Sequence, residues 1–176
     1  METGAPETID TERLILAPHR AEDLSAYAPL WRAPVDGPAF TPVLDTEGAW
    51  ARLLRLVGHR AVFGFAPWAV WDRASGRLVG EVGLARFHRG LGADFDEAPE
   101  AMWILAPEAR GHGLSVEAMR AALADADRRG LARRTVCMID PINAASIRLA
   151  TGLGFHPYRE AVRHDHRLVL FERVSA

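Results

Sequence analysis

Between Glu100 and Ala126 the chain reads EAMWILAPEARGHGLSVEAMRAALADA, and no other stretch restricts its fold as much. An apolar run from Ala101 to Leu105 is followed by Pro107, then by Arg110-Gly111-His112-Gly113-Leu114-Ser115, then by strong helix formers. That order predicts strand, loop and helix. Gly111 and Gly113 lack a Cβ, so the backbone there can turn sharply and present successive N–H groups, while a helix starting near Gly113 adds the positive end of its dipole. A turn of this kind binds an anion, most often a phosphate.

Two common nucleotide loops are excluded by single residues. A P-loop needs a lysine to reach the β- and γ-phosphates, and this chain contains no lysine. The dinucleotide fingerprint G-x-G-x-x-G would place glycine where Val116 stands. The stretch instead resembles motif A of the GNAT superfamily of N-acetyltransferases, R/Q-x-x-G-x-G/A between a strand and a helix. Here that motif reads Arg110, Gly113 and Ser115, with serine in the last slot. Glu100 through Glu108 is similar to the family's E-I-G-Y-W-L-x-P-E, and Asp140-Pro141-x-Asn143-x-x-Ser146 is followed by Gly154-Phe155. With the opening Thr11-Glu12-Arg13-Leu14-Ile15-Leu16, these motifs resemble most the branch named for the ribosomal-protein acetyltransferases RimJ and RimL.

The resemblance implies one domain over residues 1–176 with a mixed α/β fold: a six- to seven-stranded mixed sheet, splayed central parallel strands and about four flanking helices. It implies an acyl-CoA-dependent N-acyltransferase that moves an acetyl group from acetyl-CoA to a primary amine, on a protein N-terminus or a small molecule. A non-catalytic acyl-CoA-binding or sensing module of the same fold is the other reading. By resemblance, backbone groups of Trp103, Ile104 and Leu105 pair with the pantetheine amides. The N–H groups of Gly111, His112, Gly113, Leu114, Ser115 and Val116 hold the pyrophosphate beside Arg110, and Asn143 touches the cofactor arm. Ser146 falls where the branch places a serine near the cofactor sulfur, as a proton donor; the tyrosine that many relatives use is replaced by Ala150. Relatives are commonly dimers, so a homodimer is an expectation.

The residues themselves limit the rest. A formal charge of −2, with arginines scattered rather than gathered in a stripe, gives no long-range attraction for nucleic acid or an anionic membrane. No signal-peptide pattern opens the sequence, and no apolar run approaches the roughly 20 residues of a membrane helix, so a cytoplasmic location is expected. The single cysteine, Cys137, lies in the apolar run Thr135–Ile139 and reads as a buried structural thiol. His164 and His166 would share one side of a strand, but no third ligand accompanies them, so no metal is expected.

Along the chain, strands are predicted at 13–17, 67–72, 77–87, 101–105, 134–140, 156–163 and 167–174, the last two turning at His164-Asp165. Helices are predicted at 22–31, from Asp45 or Thr46 past Val57, from Leu114 to Arg129 with Gly130 as its left-handed cap, and at 143–151. The apolar face of the third is expected at Val116, Met119, Ala122, Leu123 and Ala126. Phe40, in a proline-rich loop, is either tucked on the core or a wall of the acceptor site. The acidic stretch Asp94, Asp96 and Glu97 is either a solvated loop or a negative rim for a cationic amine. For the general base, which must take a proton from an ammonium, Glu100 at the head of the central strand is the first choice and Glu81 in the preceding strand the alternate.

Overall fold

A computed structural model describes residues 8–32 and 42–175; Phe40 lies outside them. The strands are β1 (Ile9–Asp10), β2 (Leu14–Ala17), β3 (Trp68–Asp72), β4 (Leu78–Ala85), β5 (Glu100–Leu105), β6 (Arg134–Ile139), β7 (His156–Arg163) and β8 (His166–Val174). The helices are α1 (Leu24–Arg32), α2 (Thr46–Phe63), α3 (Ala93–Asp96), α4 (Leu114–Arg128) and α5 (Ala144–Gly152). All eight strands form one sheet in the order β1-β2-β3-β4-β5-β6-β8-β7. Every neighbouring pair is antiparallel except β5 and β6, which are parallel because α4 carries the chain back across the sheet between them. The strand and the helix beyond the expected count are the two-residue β1 and the single turn α3.

Alternation along the strands separates two apolar layers. Val82, Leu84, Ala101 and Leu105 pack with Ala118, Met119, Ala122 and Leu123 of α4, and the cluster continues to Ala150 of α5 and Phe155. On the opposite face Ile104 joins Tyr27, Leu53 and Leu56 of α1 and α2. The larger aliphatic and aromatic side chains among these contribute about 1.5–3 kcal/mol each when fully buried. The first turn of α4 departs from the expected pattern: Val116 faces the groove where β5 and β6 part, and Leu114 and Ala118 take the core positions.

Local chemistry sets the helix limits. The Asp45 carboxylate accepts from Gly48 N–H at 2.8 Å to start α2, and Gly64, at φ 76°, ends it. The acidic stretch is solvated at Asp94 and Glu97 but anchored to the protein. Phe95 is buried, Asp96 accepts from the amides of Arg89 and Leu91, and Asp94 pairs with Arg159. Asp94 and Asp96 are therefore engaged within the protein, while Glu97 is exposed to solvent.

Candidate active site

Parallel strands β5 and β6 are in register at one pair only, Glu100 with Val136, where Val136 N–H also donates to the Pro99 carbonyl at 3.0 Å. Past that point they separate. On its other edge β5 is paired with β4 along its whole length, from Glu100 opposite Ala85 to Leu105 opposite Gly80. The backbone groups of β5 that face β6 thus have no strand to bond, and buried peptide groups demand partners. An extended chain bearing amides could complete the ladder. The opening is a cleft of about 980 Å³ that passes between Met102–Leu105 and Cys137–Ile139, from the glycine turn on one face of the sheet to α1 and α2 on the other.

The glycine turn adopts the conformation its sequence requires. Gly111 and Gly113 sit at φ 78° and 76°, left-handed values that a side chain would strain. Gly113 caps α4, whose first amides have no partner within the helix. Gly111, Gly113, Ser115 and Val116 border the cleft with Arg110, whereas the His112 side chain is exposed and Leu114 is buried in the core. Arg110 also donates from Nε to the Leu105 carbonyl at 3.0 Å, tying the turn to the end of β5. A brace not foreseen from the sequence lies behind: Arg13 donates to the His112 carbonyl at 2.9 Å and from Nε to Glu117 at 2.7 Å, while Thr11 Oγ1 donates to Glu117 at 2.6 Å. The opening Thr-Glu-Arg thus holds the turn's outer side.

Asn143 and Ser146 come to the cleft on the first turn of α5. Asn143 Oδ1 accepts from Ser146 N–H at 3.0 Å, a helix cap that also positions the serine. Across the gap, the Trp103 indole N–H donates to Ser146 Oγ at 3.2 Å. Because Oγ is the acceptor in that bond, its own proton remains available to another group, and donation into a hydroxyl strengthens it as a donor. The buried Cys137 thiol nearby is pushed well above its ordinary pKa by burial.

The two candidate carboxylates have different surroundings. Glu100 lines the cleft, is 4% exposed, and receives a two-pronged bond from Arg89, Nε to Oε2 and Nη2 to Oε1, both at 2.8 Å. Burial raises its pKa above the ordinary carboxylate value even though Arg89 pulls it down. Each oxygen keeps a second lone pair. Glu81 is fully buried and does not border the cleft. Tyr27 donates to it at 2.6 Å, Arg52 makes a very short ion pair with it, and His19 stands 3.6 Å away. Burial lowers His19 to about 4 and raises the Tyr27 hydroxyl, so both are neutral near pH 7. With one oxygen held by Tyr27 and the other by Arg52, and neither bordering the cleft, Glu81 is less well placed than Glu100 to meet an amine.

A family model for the acetyltransferase (GNAT) domain matches residues 13–156. The chain belongs to the GNAT family. A protein from Bordetella pertussis described as a GnaT-family acetyltransferase is 33% identical, with 96% of this chain and 99% of that one covered and a TM-score of 0.88. An acetyltransferase from Agrobacterium tumefaciens is 22% identical over 98% of this chain and 96% of its own, with a TM-score of 0.80. RimL, the ribosomal L7/L12 alpha-N-protein acetyltransferase, solved in complex with coenzyme A, shares the fold at 17% identity and TM-score 0.75, with 96% and 98% of the chains covered. In this GNAT acetyltransferase the described helices include none long and apolar enough to cross a membrane.

Sequence reading missed the four arginines on the α1–α2 side of the cleft: Arg52 and Arg55 on α2, Arg89 before α3, and Arg163 at the end of β7. Arg52 stacks 4.0 Å from the Trp31 ring centroid, and Arg89 stacks 4.3 Å from that of Phe87. One signal was present: α2 carries Arg52 and Arg55 at the i, i+3 spacing that puts side chains on one helix face.

Proposed function

We propose that the enzyme moves an acetyl group from acetyl-CoA to a primary amine, on a small molecule or a protein N-terminus, in the manner of the RimJ/RimL branch. The single observation that carries this reading is the one-pair register of β5 and β6, which leaves β5 with an unpaired amide edge opening on a phosphate-type turn. Acetyl-CoA supplies the thioester carbonyl when bound. The β5 edge at Trp103, Ile104 and Leu105 would hold the pantetheine amides, the turn from Gly111 to Val116 with Arg110 the pyrophosphate, and Asn143 the arm. Glu100 accepts the amine proton, directly or through water, and Ser146 gives a proton to the departing thiolate.

The phosphate turn is testable without turnover. Coenzyme A at a hundred times its dissociation constant stabilises the folded protein by about 2.7 kcal/mol through mass action. Gly113→Val is expected to abolish that gain in a thermal-shift titration while the free protein still unfolds cooperatively. A variant that binds coenzyme A as the parent does would refute the assignment. Transfer is read separately, as free thiol released with and without an amine panel. Coenzyme A binding with no amine-stimulated thiol release would reduce the chain to a binding module.

Ser146→Ala tests the proton donor. If the hydroxyl protonates the thiolate, kcat and kcat/KM fall together by about tenfold to a hundredfold with coenzyme A affinity unchanged, because a thiol of pKa near 8.5 can also leave unprotonated. The measurement is kcat from pH 6 to 9, beside thermal unfolding. An unchanged kcat with a lowered melting temperature would make Ser146 a structural residue and leave the proton to solvent.

A further inference from the structure

We infer that the amine acceptor of this enzyme carries an oxyanion, a carboxylate or a phosphate, received by Arg55 and Arg163 on the α1–α2 side of the cleft. The inference rests on the transferase reading above and concerns which amine that site takes.

The charges on this side do not balance. Four guanidinium groups, those of Arg52, Arg55, Arg89 and Arg163, meet two carboxylates, Glu81 and Glu100. Both carboxylates are already committed, Glu81 to Arg52 and Glu100 to Arg89. Among the described residues Arg55 and Arg163 have no carboxylate partner, so a formal excess of two positive charges faces the cleft. Arg55 and Arg163 each lie near the Arg89–Glu100 pair. Glu100 is influenced by Arg89, Arg163 and Arg52, while burial and then Arg52 and Arg89 hold Arg55 below its ordinary value. Arg55 and Arg89 also share the Phe87 ring, their guanidinium carbons 5.6 and 4.3 Å from its centroid.

Arg55 is exposed and Arg163 half-buried, so their excess charge draws an anion by attraction across the cleft rather than by relief of a buried charge. Guanidinium groups suit carboxylate and phosphate because their planar fork offers paired donors. Of the two receiving groups, Arg55 lies over the Phe87 ring, a contact that restrains it before an anion arrives and lowers the ordering cost of binding. The same excess has a chemical effect. A cationic neighbourhood disfavours ammonium, so it lowers the pKa of the incoming amine and raises the fraction able to attack. A polyamine would meet repulsion at each of its charges, whereas an amine with its own oxyanion brings the counter-charge. Two of the three acidic groups that could have favoured a cation are engaged elsewhere, Asp94 with Arg159 and Asp96 with backbone amides.

The test uses matched amines on the full chain with coenzyme A or acetyl-CoA: phosphoethanolamine against ethanolamine, β-alanine against β-alaninamide, and putrescine as the dication. Acetyl transfer gives kcat/KM, and equilibrium titration of the coenzyme A-loaded protein gives Kd. The oxyanion-bearing member of each pair is expected to win by about tenfold or more in both, the worth of one charge-assisted hydrogen bond. Comparing the two pairs tells phosphate from carboxylate. Arg55→Gln and Arg163→Gln should each erase most of the preference through KM and leave the Kd of coenzyme A unchanged; Arg55→Glu should turn it toward putrescine. Equal or tighter binding of putrescine in the parent, or a preference untouched by both glutamine variants, overturns the inference. If coenzyme A binds but no amine is acetylated, the transferase reading fails, and the titration still decides the charge preference.

Discussion

Glu81→Leu is expected to destabilise the protein by about 3–5 kcal/mol, because it strips the counter-charge from a buried guanidinium. The Arg52 side chain is 12% exposed, and although burial works against its charge, Glu81 outweighs this and holds its pKa above the ordinary value. The substitution also removes the acceptor of the buried Tyr27 hydroxyl, which donates to Glu81 at 2.6 Å. For a chain of this size the loss corresponds to a fall in melting temperature of about 6–20 °C. Glu81→Gln keeps an acceptor for Tyr27 and should lose less. Since Glu81 does not border the cleft, turnover per folded molecule should change by less than about tenfold. Thermal and urea unfolding of the three proteins measures this. A shift under about 1 kcal/mol for the leucine variant would mean that water, not Glu81, satisfies Arg52.

The parts of the site that the sequence made legible are those written in contiguous residues. Gly111 and Gly113 specify a backbone conformation, Asn143 and Ser146 share one helical turn, and the strand–loop–helix order from Glu100 onward gives the parallel neighbour, while the splay was implied by the family resemblance alone. Features that depend on distant segments meeting were not legible. Arg52 and Arg55 on an amphipathic helix look like a solvated face, and nothing near Arg89 or Arg163 in the sequence says that both turn toward the same carboxylate. Glu81 was ambiguous for a related reason. A glutamate in an apolar strand is conspicuous, but whether it meets a cleft or a buried arginine depends on which helices cover that face. The two-residue β1 and the one-turn α3 are too short for any periodic signal. Tertiary packing also moved Val116 from the core to the cleft, since the sheet opens beneath the first turn of α4.

The larger kinetic effect is expected from Glu100→Gln, a fall in turnover of roughly 10²–10³-fold with the Kd of coenzyme A unchanged. The substitution has a second consequence, because Glu100 also holds Arg89 through two bonds of 2.8 Å. An amide keeps an acceptor at only one of the two oxygen positions that Arg89 engages, so lost activity alone would not tell a base from a support for Arg89. The pH profile separates the two. Burial raises Glu100 above the ordinary carboxylate range, so a base at this position loses activity as pH falls through that raised pKa and is fully competent above it. The parent should therefore show an acidic limb in kcat/KM lying above pH 4–5, and Glu100→Gln should be both slow and free of that limb. Arg89→Met supplies the control: it unties Glu100 without removing the carboxylate, so the limb should persist and move to higher pH, because the group that pulled the pKa down is gone. A slow Glu100→Gln variant that keeps the parent's acidic limb would show that Glu100 serves only to place Arg89, and that the proton of the amine leaves by water through the open side of the cleft.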